Sequence, residues 1–278
     1  MSNIQWFPGH MAKANKEILE QVKLVDIVIE IRDARIPLAS FNPNFEQMFS
    51  SKPRLVILNK EDLADETENI KWLKYFNEKN TLLVNSNTDN LSKIVVNKVK
   101  EILKDKLEKA KAKGIRKKVL KAMVVGIPNV GKSTFINNIV KKKVAKTENR
   151  PGVTKSVSWI NLNDDLMLLD TPGVLWPKFE NQNQARMLAV LGSINDDILN
   201  KEELAEFALN LLYKNYSINL KERYEVTSSE DLLKQVAVNK KCLTKNGEID
   251  YTKAAELVLN DIRSNKLKRV TLEYYEPR

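Results

Sequence analysis

The sequence predicts an α/β fold, a mainly parallel, doubly wound sheet followed by a smaller all-helical region. Three observations predict it. Short apolar runs alternate with helical stretches through about residue 181, with no hairpin turn between the runs, the pattern of strands joined by crossover helices. One run, Ala122-Met123-Val124-Val125, leads into Gly126-Ile127-Pro128-Asn129-Val130-Gly131-Lys132-Ser133 and then into the helical pattern Thr134–Ile139. From about Gln182 onward the periodicity is helical alone.

Taken in order, Pro8-Gly9 breaks any regular element in the first ten residues, and a helix follows over about Met11–Lys23 with Ile18, Leu19 and Val22 on one face. Asp26–Ile31 reads as a strand that delivers Asp33-Ala34-Arg35-Ile36-Pro37 from its carboxyl end. A helix over Pro43–Ser50 precedes a second strand, Arg54–Leu58, which runs into Asn59-Lys60-Glu61-Asp62. The next helix, Glu66–Asn77, precedes the strand Thr81–Val84 and the loop Asn85-Ser86-Asn87. One helix is expected over Leu91–Lys111, stopping before Gly114. Beyond the glycine-bounded loop, Ser156–Leu162 and Asp165–Leu169 read as strands, the latter delivering Asp170-Thr171-Pro172-Gly173. In the last third, Leu204, Phe207, Ala208, Leu211 and Leu212 recur at helical spacing within Glu203–Tyr213. Asp231–Lys241 and Thr252–Asn265 look alike. These boundaries give two expected domains, residues 1–181 and 182–278.

Composition limits the possible functions. Among 278 residues there is one cysteine, Cys242, so neither a disulfide framework nor a cysteine-based zinc cluster is available. No apolar run approaches the roughly 20 residues that span a bilayer, and the start does not read as a signal peptide. A cytoplasmic monomer with no membrane association is expected. The net charge of +10 points to a polyanionic partner. It is concentrated between Lys98 and Lys121, where eleven basic residues stand against three acidic ones. This stretch is either an RNA-contacting surface or a solvated helix face and linker.

The motifs carry the chemistry. A strand, a glycine-bounded loop and a helix form the context in which G-x-x-x-x-G-K-[ST] binds phosphate. Backbone N–H groups from Asn129 to Thr134 turn inward, and the helix N-terminus adds partial positive charge. Lys132 is expected to reach the β- and γ-phosphates and the Ser133 hydroxyl to ligate Mg²⁺. Asn59-Lys60-x-Asp62 follows a strand, at the edge where open α/β sheets bind ligands. A carboxylate at Asp62 accepts from guanine N1 and N2, a donor pair that adenine lacks. Asn59 is expected at the far edge of the base and the Lys60 stem along its ring. Asp170 is expected to hold Mg²⁺ through water, and the Gly173 N–H to approach the γ-phosphate. Arg150-Pro151-Gly152-Val153-Thr154 offers the Thr154 hydroxyl to Mg²⁺ and the γ-phosphate. Each motif is weak alone, but all fall at strand ends of one sheet, and together they define a GTP/GDP site.

The order of these motifs is unusual. The guanine motif and the Ser86 loop precede the phosphate loop, Thr154 and Asp170, whereas small G proteins begin with the phosphate loop. Reconnecting the ends restores the usual sheet, so the domain is a circularly permuted P-loop GTPase domain, with residues 98–121 as the new connection. The permuted order, Trp6-Phe7-Pro8-Gly9-His10-Met11, Asp33-Ala34-Arg35-Ile36-Pro37, N-K-E-D, G-I-P-N-V-G-K-S, P-G-V-T and D-T-P-G together resemble the ribosome biogenesis GTPase A family. That resemblance covers about residues 1–180. It implies GTP hydrolysis stimulated by the large ribosomal subunit precursor late in its assembly, with the C-terminal helices on its rRNA. Asn85-Ser86-Asn87 departs from the Ser-Ala-Lys of many GTPases, but the Ser86 backbone still addresses guanine O6.

Phosphoryl transfer needs charge neutralisation and an oriented water. Lys132, Mg²⁺ and the loop amides supply the first. Val174 stands where small G proteins carry a water-positioning glutamine, and an apolar side chain orients no water. The permutation makes residues 6–10 the topological continuation of the γ-phosphate loop, which brings His10, the only histidine, towards the reaction. The resembled family has a proposed catalytic histidine here. A solvated or helix-capping role is the alternative for His10, while Trp6 and Phe7 are expected to pack on the first helix. The Asn129 amide oxygen is a candidate ligand for K⁺ near the phosphates, and a loop-stabilising hydrogen bond is its alternative. Three other functions are alternatives. A nucleotide-gated RNA-binding module needs no productive hydrolysis. A small-subunit assembly GTPase needs an N-terminal barrel and a Cys/His zinc site, and a P-loop ATPase is disfavoured by Asp62.

Overall fold

The computed structural model describes residues 3–77, 79–85, 90–115, 118–141 and 157–276. One six-stranded sheet is built from β1 (Ile27–Asp33), β2 (Arg54–Asn59), β3 (Thr81–Val84), β4 (Leu120–Gly126), β5 (Ser158–Asn161) and β6 (Leu166–Asp170), in the order β3-β2-β1-β4-β6-β5. The pairs β1–β2, β1–β4, β2–β3 and β4–β6 are parallel. β1 is buried at every position, as a central parallel strand covered on both faces must be. Its two inner charges, Glu30 and Arg32, pair with each other at 2.7 Å.

Flanking helices are α1 (Gly9–Gln21), α2 (Asn44–Met48), α3 (Glu66–Tyr75), α4 (Leu91–Ile102), α5 (Lys104–Ala112) and α6 (Lys132–Val140). Asp65 caps α3 by accepting from the Glu68 N–H, satisfying one of its orphan donors. α4 buries Leu91, Val95, Val96 and Val99 along one stripe. Two expectations are corrected. β5 runs antiparallel to β6, so a hairpin does interrupt the alternation. Its turn is held by Asn163, whose Oδ1 accepts from the Asp165 and Leu166 N–H groups, the Asx chemistry that favours asparagine in turns. The single helix expected over Leu91–Lys111 is two, because Leu103 leaves helical geometry at φ −97° and ψ 18° as its side chain enters the core.

The remaining helices are α7 (Gln182–Val190), α8 (Lys201–Tyr224), α9 (Leu232–Asn239) and α10 (Tyr251–Arg263). α8 runs well past the predicted Tyr213 and kinks at Tyr216, where φ is −128°. Its buried stripe includes Leu204, Ala208 and Leu212, as the periodicity predicts. One continuous cluster of buried apolar side chains joins the sheet to these helices. After α10 the chain returns across the carboxyl side of β1 and β2. The Val270 N–H donates to the Leu63 carbonyl (3.1 Å), the Leu272 N–H to Arg35 (3.0 Å), and the Trp72 Nε1 to Glu273 (3.1 Å). Among the described residues, no helix is long and apolar enough to cross a membrane.

Candidate nucleotide site

The motifs converge at one edge of the sheet. Asn59 ends β2, Gly126 ends β4, Asp170 ends β6 and Asn85 follows β3, all at carboxyl ends of parallel strands. The chain reverses its lateral direction between β1 and β4, and such a switch point opens a crevice for ligands.

At the phosphate end, residues 127–131 turn from β4 into α6. Gly131 has φ +89°, and a Cβ there would collide with the Asn59 amide, so only glycine fits. Val130 is buried, and Ser133 and Thr134 lie in the first turn of α6, where backbone N–H groups lack helical acceptors. Lys132 and Asp170 are both buried and form a direct ion pair across the loop. The Thr171 hydroxyl donates to the Val124 carbonyl at 2.8 Å, fixing the Asp170 loop to β4. A Cβ on Gly173 would stand 3.0 Å from the Pro128 nitrogen, so glycine allows this loop to lie on the phosphate loop. Val174 is fully buried and donates its N–H to the Gly126 carbonyl.

At the base end, Asn59 ties the two motifs together. Its side chain is buried and its Nδ2 donates to the Val130 carbonyl at 2.8 Å. Asn59 therefore fastens the guanine motif to the phosphate loop. Lys60 reaches across as well, bonding the Asn129 carbonyl at 2.5 Å and pairing with Asp33 at 3.0 Å. Burial pushes the Lys60 pKa down and the neighbouring Asp33 charge opposes the fall. Burial would raise the pKa of Asp33, but the Arg35 and Lys60 charges more than reverse this and hold it well below the carboxylate range. Asp62 is half-buried beside this network, and burial together with its charge raises the pKa of Glu61.

Sequence reasoning missed two supports. Arg35 binds the Asp33 carboxylate through both Nε (2.9 Å) and Nη2 (2.8 Å) while Nη1 donates to the Ile262 carbonyl of α10. Asp33-Ala34-Arg35 stood out in the sequence, but nothing in its spacing announced a fork to α10. The phosphate loop is also clasped from the helical side. The Ser193 hydroxyl donates to the Pro128 carbonyl at 2.9 Å, and the Asn129 Nδ2 donates to the Gly192 carbonyl. The Asn129 amide nitrogen thus makes a loop-stabilising hydrogen bond.

The N-terminal segment runs beside the chain that follows Gly173. Gln5 exchanges hydrogen bonds with the Phe179 backbone, and the Leu175 N–H points at the Met11 sulfur. His10, next to Met11, is exposed within the first turn of α1, one residue earlier than the expected helix start. The helix N-cap is Pro8 with no side-chain hydrogen bond, so His10 does not cap it. Trp6 and Phe7 line a groove with Arg186, Leu199 and Leu204 of the helical region. Ser86, Asn87 and Thr154 lie outside the described residues.

A phosphate loop clamped to an N-K-x-D strand, in a sheet whose connections enter through the guanine motif, defines a circularly permuted P-loop GTPase, a GTP-hydrolysing enzyme. The family profile described as 50S ribosome-binding GTPase matches residues 121–241, beginning within β4 and leaving out the guanine motif that precedes it. The chain belongs to the ribosome biogenesis GTPase A family. It is 46% identical to ribosome biogenesis GTPase A of Bacillus cereus, over 97% of this chain and 93% of that protein. It is 36% identical to mitochondrial ribosome-associated GTPase 1 of Mus musculus, over 97% of this chain and 90% of that protein. The GNP-bound structure of YlqF from T. maritima superposes with a TM-score of 0.71 at 25% identity, over 94% of this chain and 98% of that one.

Proposed function

We propose that this GTPase acts in late maturation of the large ribosomal subunit, that the subunit precursor stimulates its hydrolysis, and that it works as a cytoplasmic monomer. The observation that carries the nucleotide part is the pair of bonds Asn59–Val130 and Lys60–Asn129, which hold the guanine and phosphate motifs at one crevice despite their separation in sequence. Asp62 reads guanine N1 and N2, with the Ser86 and Asn87 loop at O6 and the Lys60 stem beside the ring. The amides of Asn129, Val130, Gly131, Lys132, Ser133 and Thr134 cradle the phosphates. Lys132 and the Gly173 N–H meet the charge that develops on the γ-phosphoryl group.

Magnesium fits the donor set. Ser133, Thr154 and Asp170 offer hard oxygen ligands, and no described cluster of three or more His, Cys, Asp or Glu side chains competes for a metal. Such an ion, held by these residues, would neutralise phosphate charge during hydrolysis. For the second cation, K⁺ beside Asn129, hydrolysis is expected to run faster in potassium than in sodium buffer at equal ionic strength. Equal rates would remove the ion from the site.

Val174 is buried and points no polar group at the γ-phosphate, so the attacking water needs another partner. The path of residues 4–11 beside residues 175–182 supports His10 in that role. The helical domain, residues 182–278, is the surface we assign to rRNA. The testing experiment measures GTP turnover of wild type and His10→Ala with and without purified large-subunit precursors. Wild type is expected to accelerate on the particle, and His10→Ala to bind GTP normally yet lose most of that acceleration. Unchanged stimulated turnover in His10→Ala removes this residue from the mechanism. No acceleration of wild type overturns the assembly role.

A further inference from the structure

We infer that α5 and the turn after it form a second RNA-binding surface, on the side of the sheet opposite the nucleotide, that grips the phosphate backbone of ribosomal RNA whatever nucleotide is bound. The inference rests on the proposed role in ribosome assembly and adds a separate contact to it.

α5 buries only Ala110 among its nine residues, so almost the whole helix faces solvent. Lys104, Lys109, Lys111 and Lys113 are exposed, and the last three make no ion pair with any described residue. Lys106, Lys109 and Lys113 follow one another at three- and four-residue spacing, where like charges on a helix repel. Asp26 compensates Lys106 but no described carboxylate pairs with Lys109 or Lys113, and a polyanion lying along the row relieves their repulsion and releases its own counterions.

Position separates this surface from the nucleotide. Lys106 pairs with Asp26, just ahead of β1, and Lys100 pairs with Asp165, just ahead of β6. Both anchors lie at the amino ends of strands, whereas the candidate nucleotide site occupies the carboxyl ends. The basic face continues to Lys121 near the start of β4, whose ammonium lies 5.4 Å from the centre of the exposed Trp159 ring on edge strand β5. Lysines on flexible stems beside an open aromatic ring suit backbone and base-stacking contact without sequence readout.

The test titrates potassium chloride in equilibrium binding of the full chain to protein-free large-subunit rRNA, and separately to the precursor particle, in GDP and in a GTP analogue. The comparison variant carries Lys104→Gln, Lys109→Gln, Lys111→Gln and Lys113→Gln. Its basal GTP hydrolysis and thermal melt are expected to match wild type. Each lost phosphate contact removes about 0.7–0.9 from the slope of log affinity against log salt, so four lysines flatten it by about 3. That flattening should be equal in both nucleotide states. Removing Lys13, Lys16, Lys23 and Lys74 instead should flatten it far less. An unchanged slope in the α5 variant, or equal flattening by the control set, overturns the surface while wild-type RNA binding stands. Lost binding to the particle but not to protein-free rRNA reassigns the surface to a ribosomal protein and overturns it as an RNA site. If wild type binds no rRNA, the RNA part of the proposed function falls with it.

Discussion

Lys132→Met is expected to weaken GTP binding by at least a hundredfold and to bring hydrolysis to background. The ammonium is buried and paired with the Asp170 carboxylate across the phosphate loop. A single preorganised charge-stabilising donor in such a site contributes about 10²–10³ in rate. The substitution also strands Asp170, and breaking a buried ion pair from one side costs about 3–5 kcal/mol. The companion variant Lys132→Met with Asp170→Asn removes that stranded charge. It should melt closer to wild type and still fail to bind. Titration calorimetry and a thermal melt on both variants separate the outcomes. A folded Lys132→Met with GTP affinity within about twofold of wild type would contradict the phosphate assignment.

The second large effect belongs to Asp62→Asn. Two guanine donors would lose a charged acceptor and face an amide. A hydrogen bond to a charged group contributes about 1.5–3 kcal/mol, and an unpaired buried donor costs a further 1–3 kcal/mol or so, together a loss of about 10²–10⁴ in affinity. Xanthine carries a carbonyl where guanine carries the 2-amino group, and the new amide can donate to it. The variant should therefore gain affinity for xanthosine nucleotides as it loses GTP. Because Asn59 and Lys60 make the bonds to the phosphate loop, the fold should survive the change. Retained GTP affinity in Asp62→Asn, or equal binding of ATP and GTP by wild type, would break the base assignment.

Most of the sheet was legible because a buried parallel strand is nearly continuous in apolar residues, and β1, β2, β3 and β4 each ended in a motif. β5 was harder. It is an edge strand with exposed side chains, so its pattern carries little burial signal, and only Asn163-Asp164-Asp165 marked the turn that reverses it. The helix break at Leu103 was hidden because leucine favours helices, and the choice between continuing and turning was settled by packing. Asn59 shows the same limit at the site. Its residue type predicted a polar contact near the base, and only three-dimensional proximity to Val130 revealed the further partner on the phosphate loop. The returning chain over residues 267–276 had no local signature, since its bonds go to Leu63, Arg35 and Trp72, more than a hundred positions away.

The clasp of Gly192 and Ser193 on Pro128 and Asn129 makes the helical region a mechanical neighbour of the phosphate cradle. A displacement of α7 that carried Gly192 and Ser193 with it would strain the same peptide units that would wrap a γ-phosphate. Thermodynamic reciprocity then demands a two-way bargain: whatever factor a docked particle adds to the hold on GTP, GTP must add to the hold on the particle.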